Sequence, residues 1–422
     1  MKRVVVVGSG FGGLEAVAQL DTLFDRDPNV EILLLSDQNY LLFTPLLPQI
    51  ASSFTDPRHI IQAVREVRGQ RKFAFRREPV RAVDATKRRL TLDSGSIDYD
   101  ALILAPGSRT EFFNTPGARE NSWDYKSLQQ AVELREHIID QCEHADHTLD
   151  PAARQNMLTF VVVGGGYTGI ELATEMRDFL FRYAAKKYRG IDASEIRLIV
   201  LEALPDILRG IGPKLAAHAR NRLHVTGIEV RTSTRVTRVN ECSVEINGNE
   251  TLQADTIIWT AGVRAIELIE SLPGPHDRIG RAIVNPQLQL DDHPEVFVIG
   301  DSAAATSAEE APRVAPVAIE QGRIAALNVA HLWKGETLET YEYASKGMLV
   351  SLGMNYAVVN VAGFQVSGYF AWLFWNAVHL YKLVGLKKQL QVAGDWILGL
   401  IFPRDAAIVR EPRRSKICDK SR

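Results

Sequence analysis

The sequence has few cysteines, no long apolar run and little net charge, and each scarcity removes a class of protein. Cys142, Cys242 and Cys418 are the only cysteines in 422 residues, and none belongs to a C-x-x-C pair. That spacing excludes a thiol–disulfide redox centre, a cysteine-rich metal site and a disulfide scaffold of the secreted kind, and it points to an intracellular chain with no metal. No uninterrupted apolar stretch approaches the ~20 residues that span a bilayer. The nearest candidate, Gly368 to Phe402, is broken by Asn376, His379, Lys382, Lys387, Lys388, Gln389 and Asp395. A formal net charge of −2 gives no general basic field for nucleic acid. With the first apolar strand beginning near Arg3, no signal or transit peptide is expected.

What is present is ordinary globular composition, 46% hydrophobic and 24% charged, in a chain long enough for two or three domains. Two glycine fingerprints stand out: Gly8-Ser9-Gly10-Phe11-Gly12-Gly13 and Gly164-Gly165-Gly166-Tyr167-Thr168-Gly169. Each follows a β-branched run, Val4 to Val7 and Phe160 to Val163, and each opens a helical stretch. One G-x-G-x-x-G is a weak signal, but two in strand–turn–helix context predict two dinucleotide sites. In each, the first glycine permits the tight turn, the second lets backbone approach a pyrophosphate, and the third lets helix pack on strand. The phosphates then lie at a helix N-terminus, where backbone N–H groups point outward. Phe11, Gly12, Tyr167 and Thr168 fall in the same turns.

An acid at the end of the following strand is expected on the ribose. After the first fingerprint the candidates are Ser36 and Asp37, the acid standing one residue late. After the second, Leu198-Ile-Val-Leu ends on Glu202, whose carboxylate suits both ribose hydroxyls and repels a 2′-phosphate, favouring NADH over NADPH. Arg197 and Arg209 nearby work in the opposite sense. Glu171, two residues after Gly169, has two readings: an acid stabilised by the helix dipole, or a carboxylate facing the nicotinamide.

The order of motifs resembles the two-dinucleotide-domain flavoprotein reductases, and among them the type II NADH dehydrogenases, single-subunit NADH:quinone oxidoreductases that do not pump protons. The resemblance runs through Gly8–Gly13, Asn39–Gln49, Tyr99–Ser108, Phe112–Gly117, Val161–Leu172, Trp259–Arg264, Val296–Asp301 and Gly368–Trp375. It implies FAD on the first fingerprint, NADH on the second, and a membrane quinone as electron acceptor. It puts Ala105 and Gly107 against the flavin, Asp301 on its ribityl and phosphate region, and Ala261 and Gly262 in the nicotinamide site. The chain departs from the family in Pro106, where threonine is usual at a strand-end turn, and in Ala315-Pro-Val-Ala-Ile-Glu320. There Pro316 and Glu320 replace glutamines of the quinone motif, with Gln321 as a substitute. Glu171 and Glu320 are the candidates for quinone protonation. The altered motif keeps two other readings open, a soluble NAD(P)H reductase with another acceptor and a slow NADH-sensing flavoprotein.

The expected architecture is α/β: two Rossmann-like dinucleotide-binding domains and a C-terminal amphipathic membrane-associating segment. The FAD domain is expected at 1–120 and 286–340, the NAD(H) domain at 121–285, and a membrane-surface or dimerisation region at 341–422. In 368–402, Tyr369, Trp372, Trp375, Tyr381 and Trp396 mingle with apolar residues and lysines, a composition suited to the headgroup level of a membrane. Arg410, Arg413, Arg414, Lys416, Lys420 and Arg422 add attraction to anionic lipid. The resulting expectation is a peripheral enzyme on the cytoplasmic face of the membrane, a homodimer through the same segment.

Overall fold

The computed structural model describes residues 1–408 apart from 26, 70 and 307–310. Cys418 and the basic residues from Arg410 onward lie outside the described residues. The chain divides into two compact units, the first of Met1–Leu42, Ile61–Arg109 and Val263–Ser345, the second of Phe43–Ile60, Thr110–Gly262 and Lys346 onward.

The first unit is built on a six-stranded sheet in the order Gln289–Leu290, His293–Val298, Ala101–Leu104, Lys2–Val7, Val30–Ser36, Ala74–Arg77. All pairs are parallel except the first. The central strand is Lys-Arg followed by four valines, which suits a strand covered on both faces; Val4, Val5 and Val6 are fully buried. Helix Phe11–Leu23 leaves the central strand, and helix Ala315–Lys334 crosses it closely. The approach is set by glycine, since a Cβ at Gly322 would lie 2.3 Å from the Gly12 carbonyl oxygen. Pro316 sits in the first turn of that second helix, where its missing N–H has no helical partner to lose.

The second unit repeats the plan with an all-parallel sheet ordered Trp123–Asp124, Thr256–Trp259, Thr159–Val163, Arg197–Leu201, Ile228–Arg231. Helix Tyr167–Phe179 follows the central strand, and helix Leu128–His147 begins at a capping box made by Ser127 and Gln130. The proline-punctuated stretch after Tyr40, expected as loop and helix, is divided. Tyr40–Leu42 pairs with Ile61–Ala63 in the first unit, and the short helix Leu47–Ala51 lies in the second.

The C-terminal segment begins with an antiparallel sheet, Met348–Ser351, Ala357–Val361 and Phe364–Gly368, which composition alone did not announce. Helices Tyr369–Lys382 and Leu386–Ile401 follow. No helix among the described residues is long and apolar enough to cross a membrane. Both helices are two-faced. Ala371, Trp375 and Val392 are buried, whereas Phe370, Leu390 and Ile401 are exposed. Two expected headgroup residues therefore point the other way. Trp375 is buried and stacks on His379 at 4.0 Å, and Trp396 donates its indole N–H to Gln49 Oε1 at 2.8 Å. The outward face is made by phenylalanine and aliphatic side chains, with Tyr369 and Tyr381. A second tie is the 2.6 Å hydrogen bond between His59 Nδ1 and the Asp395 carboxylate.

Candidate functional site

In the first unit, the backbone turns out of the central strand at Gly8, with φ +104°, and its N–H bonds the Leu35 carbonyl at 2.8 Å. A Cβ here would lie 2.2 Å from the Ala105 carbonyl oxygen, and one at Gly13 would lie 1.9 Å from that of Gly8. Both positions are closed to side chains by the protein itself. Gly10 differs: a Cβ there meets nothing within 4 Å, and the helix it begins has no side-chain cap. Open space beside uncapped N–H groups fits a pyrophosphate, so the residues present fit a bound dinucleotide.

The turn beyond strand Ala101–Leu104 brings Ala105 and Gly107 to the same end of this sheet. Asp301 joins them, accepting a hydrogen bond from Ser108 Oγ at 2.6 Å. Its own turn is held by Gln321, whose Oε1 accepts from the Gly300 N–H at 2.7 Å. Gln321 is buried with that oxygen committed to Gly300, whereas Pro316 and Glu320 on the same helix are partly exposed.

The second unit reproduces the cradle. Gly164 has φ +114° and bonds the Leu201 carbonyl at 2.8 Å; a Cβ at Gly169 would lie 2.0 Å from the Gly164 oxygen, and one at Gly166 meets nothing within 4 Å. Tyr167 donates its hydroxyl to the Arg209 carbonyl, and Thr168 is exposed. Ala261 closes over the turn, its N–H lying 2.9 Å from where a Gly164 Cβ would be. Glu202 accepts from the Gly165 N–H at 2.7 Å and from the Leu204 N–H at 2.8 Å, one bond on each oxygen. This fixes the carboxylate and leaves lone pairs for further donors.

The two cradles align through these bonds. Leu35 in one corresponds to Leu201 in the other, so Ser36 occupies the place of Glu202 and Asp37 lies one residue beyond, exposed. Ser36 is buried and shares a 2.9 Å hydrogen bond with Ser9, the counterpart of Gly165. A carboxylate on glycine in one cradle is replaced by a serine pair in the other.

Glu171 stands one turn into the second helix. Its Oε1 accepts from the Ser351 N–H at 2.9 Å. Loss of hydration pushes its pKa up to about 8; the Ser351 N–H and the Trp375 indole oppose the rise, and the Glu175 carboxylate adds to it. Glu175, one turn further on, accepts from Ser52 Oγ at 2.9 Å and pairs with Arg404 at 3.3 Å. Its pKa is also raised by burial, against the pull of Arg404. Ser52, Ser351 and Arg404 carry no local sequence signal as partners of this helix, because each is remote in sequence from it. The available signal was the i, i+4 spacing of Glu171 and Glu175 on one helix face. Glu320 lies in the first unit, Glu171 in the second.

Two sheets, each with a parallel central strand ending in a glycine cradle for a dinucleotide, define a two-dinucleotide oxidoreductase. Residues 2–322 match the model of the pyridine nucleotide-disulphide oxidoreductases, and residues 345–405 that of the NDH2 C-terminal domain. The chain belongs to the type II NADH:quinone oxidoreductase family within that class. It is similar to the type II NADH:quinone oxidoreductase NdhA of Mycobacterium tuberculosis (strain ATCC 25618 / H37Rv), at 34% identity over 93% of this chain and 86% of that one. It is 30% identical to the type II NADH:quinone oxidoreductase of Staphylococcus epidermidis (strain ATCC 12228 / FDA PCI 1200), over 96% of this chain and 98% of the other. Its fold is similar to that of NDH2 from Plasmodium falciparum, solved in complex with NADH, with a TM-score of 0.87 at 19% identity, covering 96% of this chain and 99% of that one.

Proposed function

We propose that this chain is a membrane-peripheral FAD enzyme that oxidises NADH and reduces a quinone without pumping protons. The observation that carries the reading is the repeated cradle, in which only the middle glycine faces open space. FAD held on the first cradle by Gly8, Gly10 and Gly13 would supply two-electron redox chemistry between NADH and the quinone.

The first cradle holds FAD through Gly8, Gly10, Phe11, Gly12 and Gly13, with Ser36 or Asp37 toward the ribose and Ala105, Gly107 and Asp301 toward the flavin half. The second holds NADH through Gly164, Gly166, Tyr167, Thr168 and Gly169, with Glu202 on the adenosine ribose and Ala261 and Gly262 at the nicotinamide end. Glu171, carrying a proton at neutral pH, serves as proton donor toward the reduced quinone. Pro316 and Glu320 border the quinone region, while Gln321 acts through the Gly300–Asp301 turn. We assign the FAD domain to 1–120 and 286–340, the NAD(H) domain to 121–285, and the membrane and dimer region to 341–422; by compactness Thr110–Gly262 falls in the second unit and Val263–Ser345 in the first. The outward apolar faces of Tyr369–Lys382 and Leu386–Ile401 support docking on a membrane surface, which we assign to the cytoplasmic leaflet.

Anaerobic stopped-flow tests the reading. NADH should bleach the flavin, and ubiquinone or menaquinone analogues should restore it. Bleaching without reoxidation by any quinone would remove the second half of the assignment and leave a reductase with another acceptor.

A further inference from the structure

In a parallel sheet of this kind, ligands lie outside the carboxyl ends of the strands at the point where strand order reverses. In the second unit that point falls between Thr159–Val163 and Thr256–Trp259. Glu202 stands beyond the strand on the far side of Thr159–Val163. A dinucleotide with its adenosine ribose on Glu202 and its pyrophosphate at Gly166 therefore runs toward Thr260–Gly262. Over that end stands the ring of Phe113: a Cβ added at Gly262 would lie 2.5 Å from its Cζ.

The chain holds Phe113 there against ordinary preference. It is 59% exposed, while its neighbour Phe112 is buried against Trp259 with ring centroids 5.8 Å apart. Phe113 and Asn114 both have left-handed backbone, φ +51° and +53°, a region that non-glycine residues rarely adopt. The loop is fixed by four bonds. Glu111 Oε1 accepts from the Phe113 N–H at 2.7 Å, and the Glu111 N–H donates to the Gly262 carbonyl at 3.2 Å. The Trp259 indole N–H is shared between the carbonyls of Glu111 at 2.9 Å and Ala261 at 3.0 Å.

We propose that Phe113 is a substrate-binding residue whose exposed ring forms one wall of the seat for the dihydronicotinamide ring of NADH. The proposal rests on the assignment of NADH to the second cradle. A flat apolar ring fixed in advance offers contact area with little entropy left to lose on binding. The side chain carries no proton and takes no part in electron transfer, so its contribution is to NADH affinity.

The test uses the FAD-loaded enzyme with NADH and ferricyanide, together with calorimetric binding of NAD⁺. In Phe113→Ala the KM for NADH and the Kd for NAD⁺ should both rise by about fivefold or more. The melting temperature and the KM for ferricyanide should stay unchanged. Phe113→Tyr should keep near-normal affinity, and Phe113→Leu should fall between. Values for NADH and NAD⁺ within twofold of wild type in the alanine and leucine variants would overturn the proposal, as would a change confined to the acceptor. A wild-type protein that fails to oxidise NADH would instead defeat the broader assignment, so the two failures are distinct.

Discussion

Glu171 accepts a hydrogen bond from the backbone N–H of Ser351, 180 residues further along the chain, at 2.9 Å. The contact ties the first strand of the C-terminal sheet to the helix that begins at the second cradle. Loss of hydration around the carboxyl outweighs that N–H, which favours the charged form, and raises the pKa to about 8.

Glu171→Gln should lower quinone reduction by about tenfold or more, within the range for loss of a general acid, and leave ferricyanide reduction by NADH within about twofold. Stability provides a second readout. The pKa is raised from 4.5 in the unfolded chain to about 8 in the fold. The stabilising contribution is therefore complete below 4.5 and lost as pH rises through about 8. Chemical denaturation across that window should show a fall in wild-type stability that the glutamine variant lacks.

The glycines of the first cradle should separate folding from cofactor binding. Gly13→Ala drives a Cβ into the Gly8 carbonyl and should cost about 3 kcal/mol of stability. Gly10→Ala meets no protein atom, so thermal unfolding of the FAD-free protein should be unchanged. Its FAD dissociation constant, followed by flavin fluorescence, should rise by about tenfold or more. Equal behaviour of the two variants would contradict this division.

Arg404 reaches from beyond the last helix to Glu175, and its Nη1 also donates to the Ser52 carbonyl at 3.0 Å. Arg404→Ala leaves Glu175 buried without its cation and should destabilise the protein by about 3 kcal/mol. Adding Glu175→Gln removes the stranded charge, so the double variant should unfold at a higher denaturant concentration than Arg404→Ala alone.

Membrane docking should depend on the outward helix faces and not on Trp375 and Trp396, which bond and pack inward. Phe370 and Ile401 are 79% and 70% exposed. Replacing both by Glu should lower binding to anionic liposomes by about tenfold or more while NADH:ferricyanide activity in solution is retained. Persistent liposome binding by that variant would contradict an apolar docking face.

Both cradles were legible because their cause is local. Gly8 and Gly13, like Gly164 and Gly169, are demanded by backbone atoms within a strand, a turn and the helix beside it, and the spacing of the motif is that geometry written in sequence. Valine-rich strands before each turn fixed the parallel sheets for the same reason. Asp37 and Trp375 show where such reading stops. Whether an acid ends its strand one residue early or late depends on the pairing register of neighbouring strands. Which face of an amphipathic helix is buried depends on what packs against it.

By itself, then, the sequence determined two nucleotide-binding units, the positions of their turns and an amphipathic C-terminal segment, all from short-range sterics and hydrophobic pattern. Only the tertiary structure decided that Ser36 stands in register with Glu202. It alone turned Trp375 and Trp396 inward, enclosed Glu171 beside Ser351, and left Phe113 exposed over Gly262. These depend on atoms brought together from distant parts of the chain. Hydration, and with it pKa and exposure, is set by that assembled surrounding and by no residue alone.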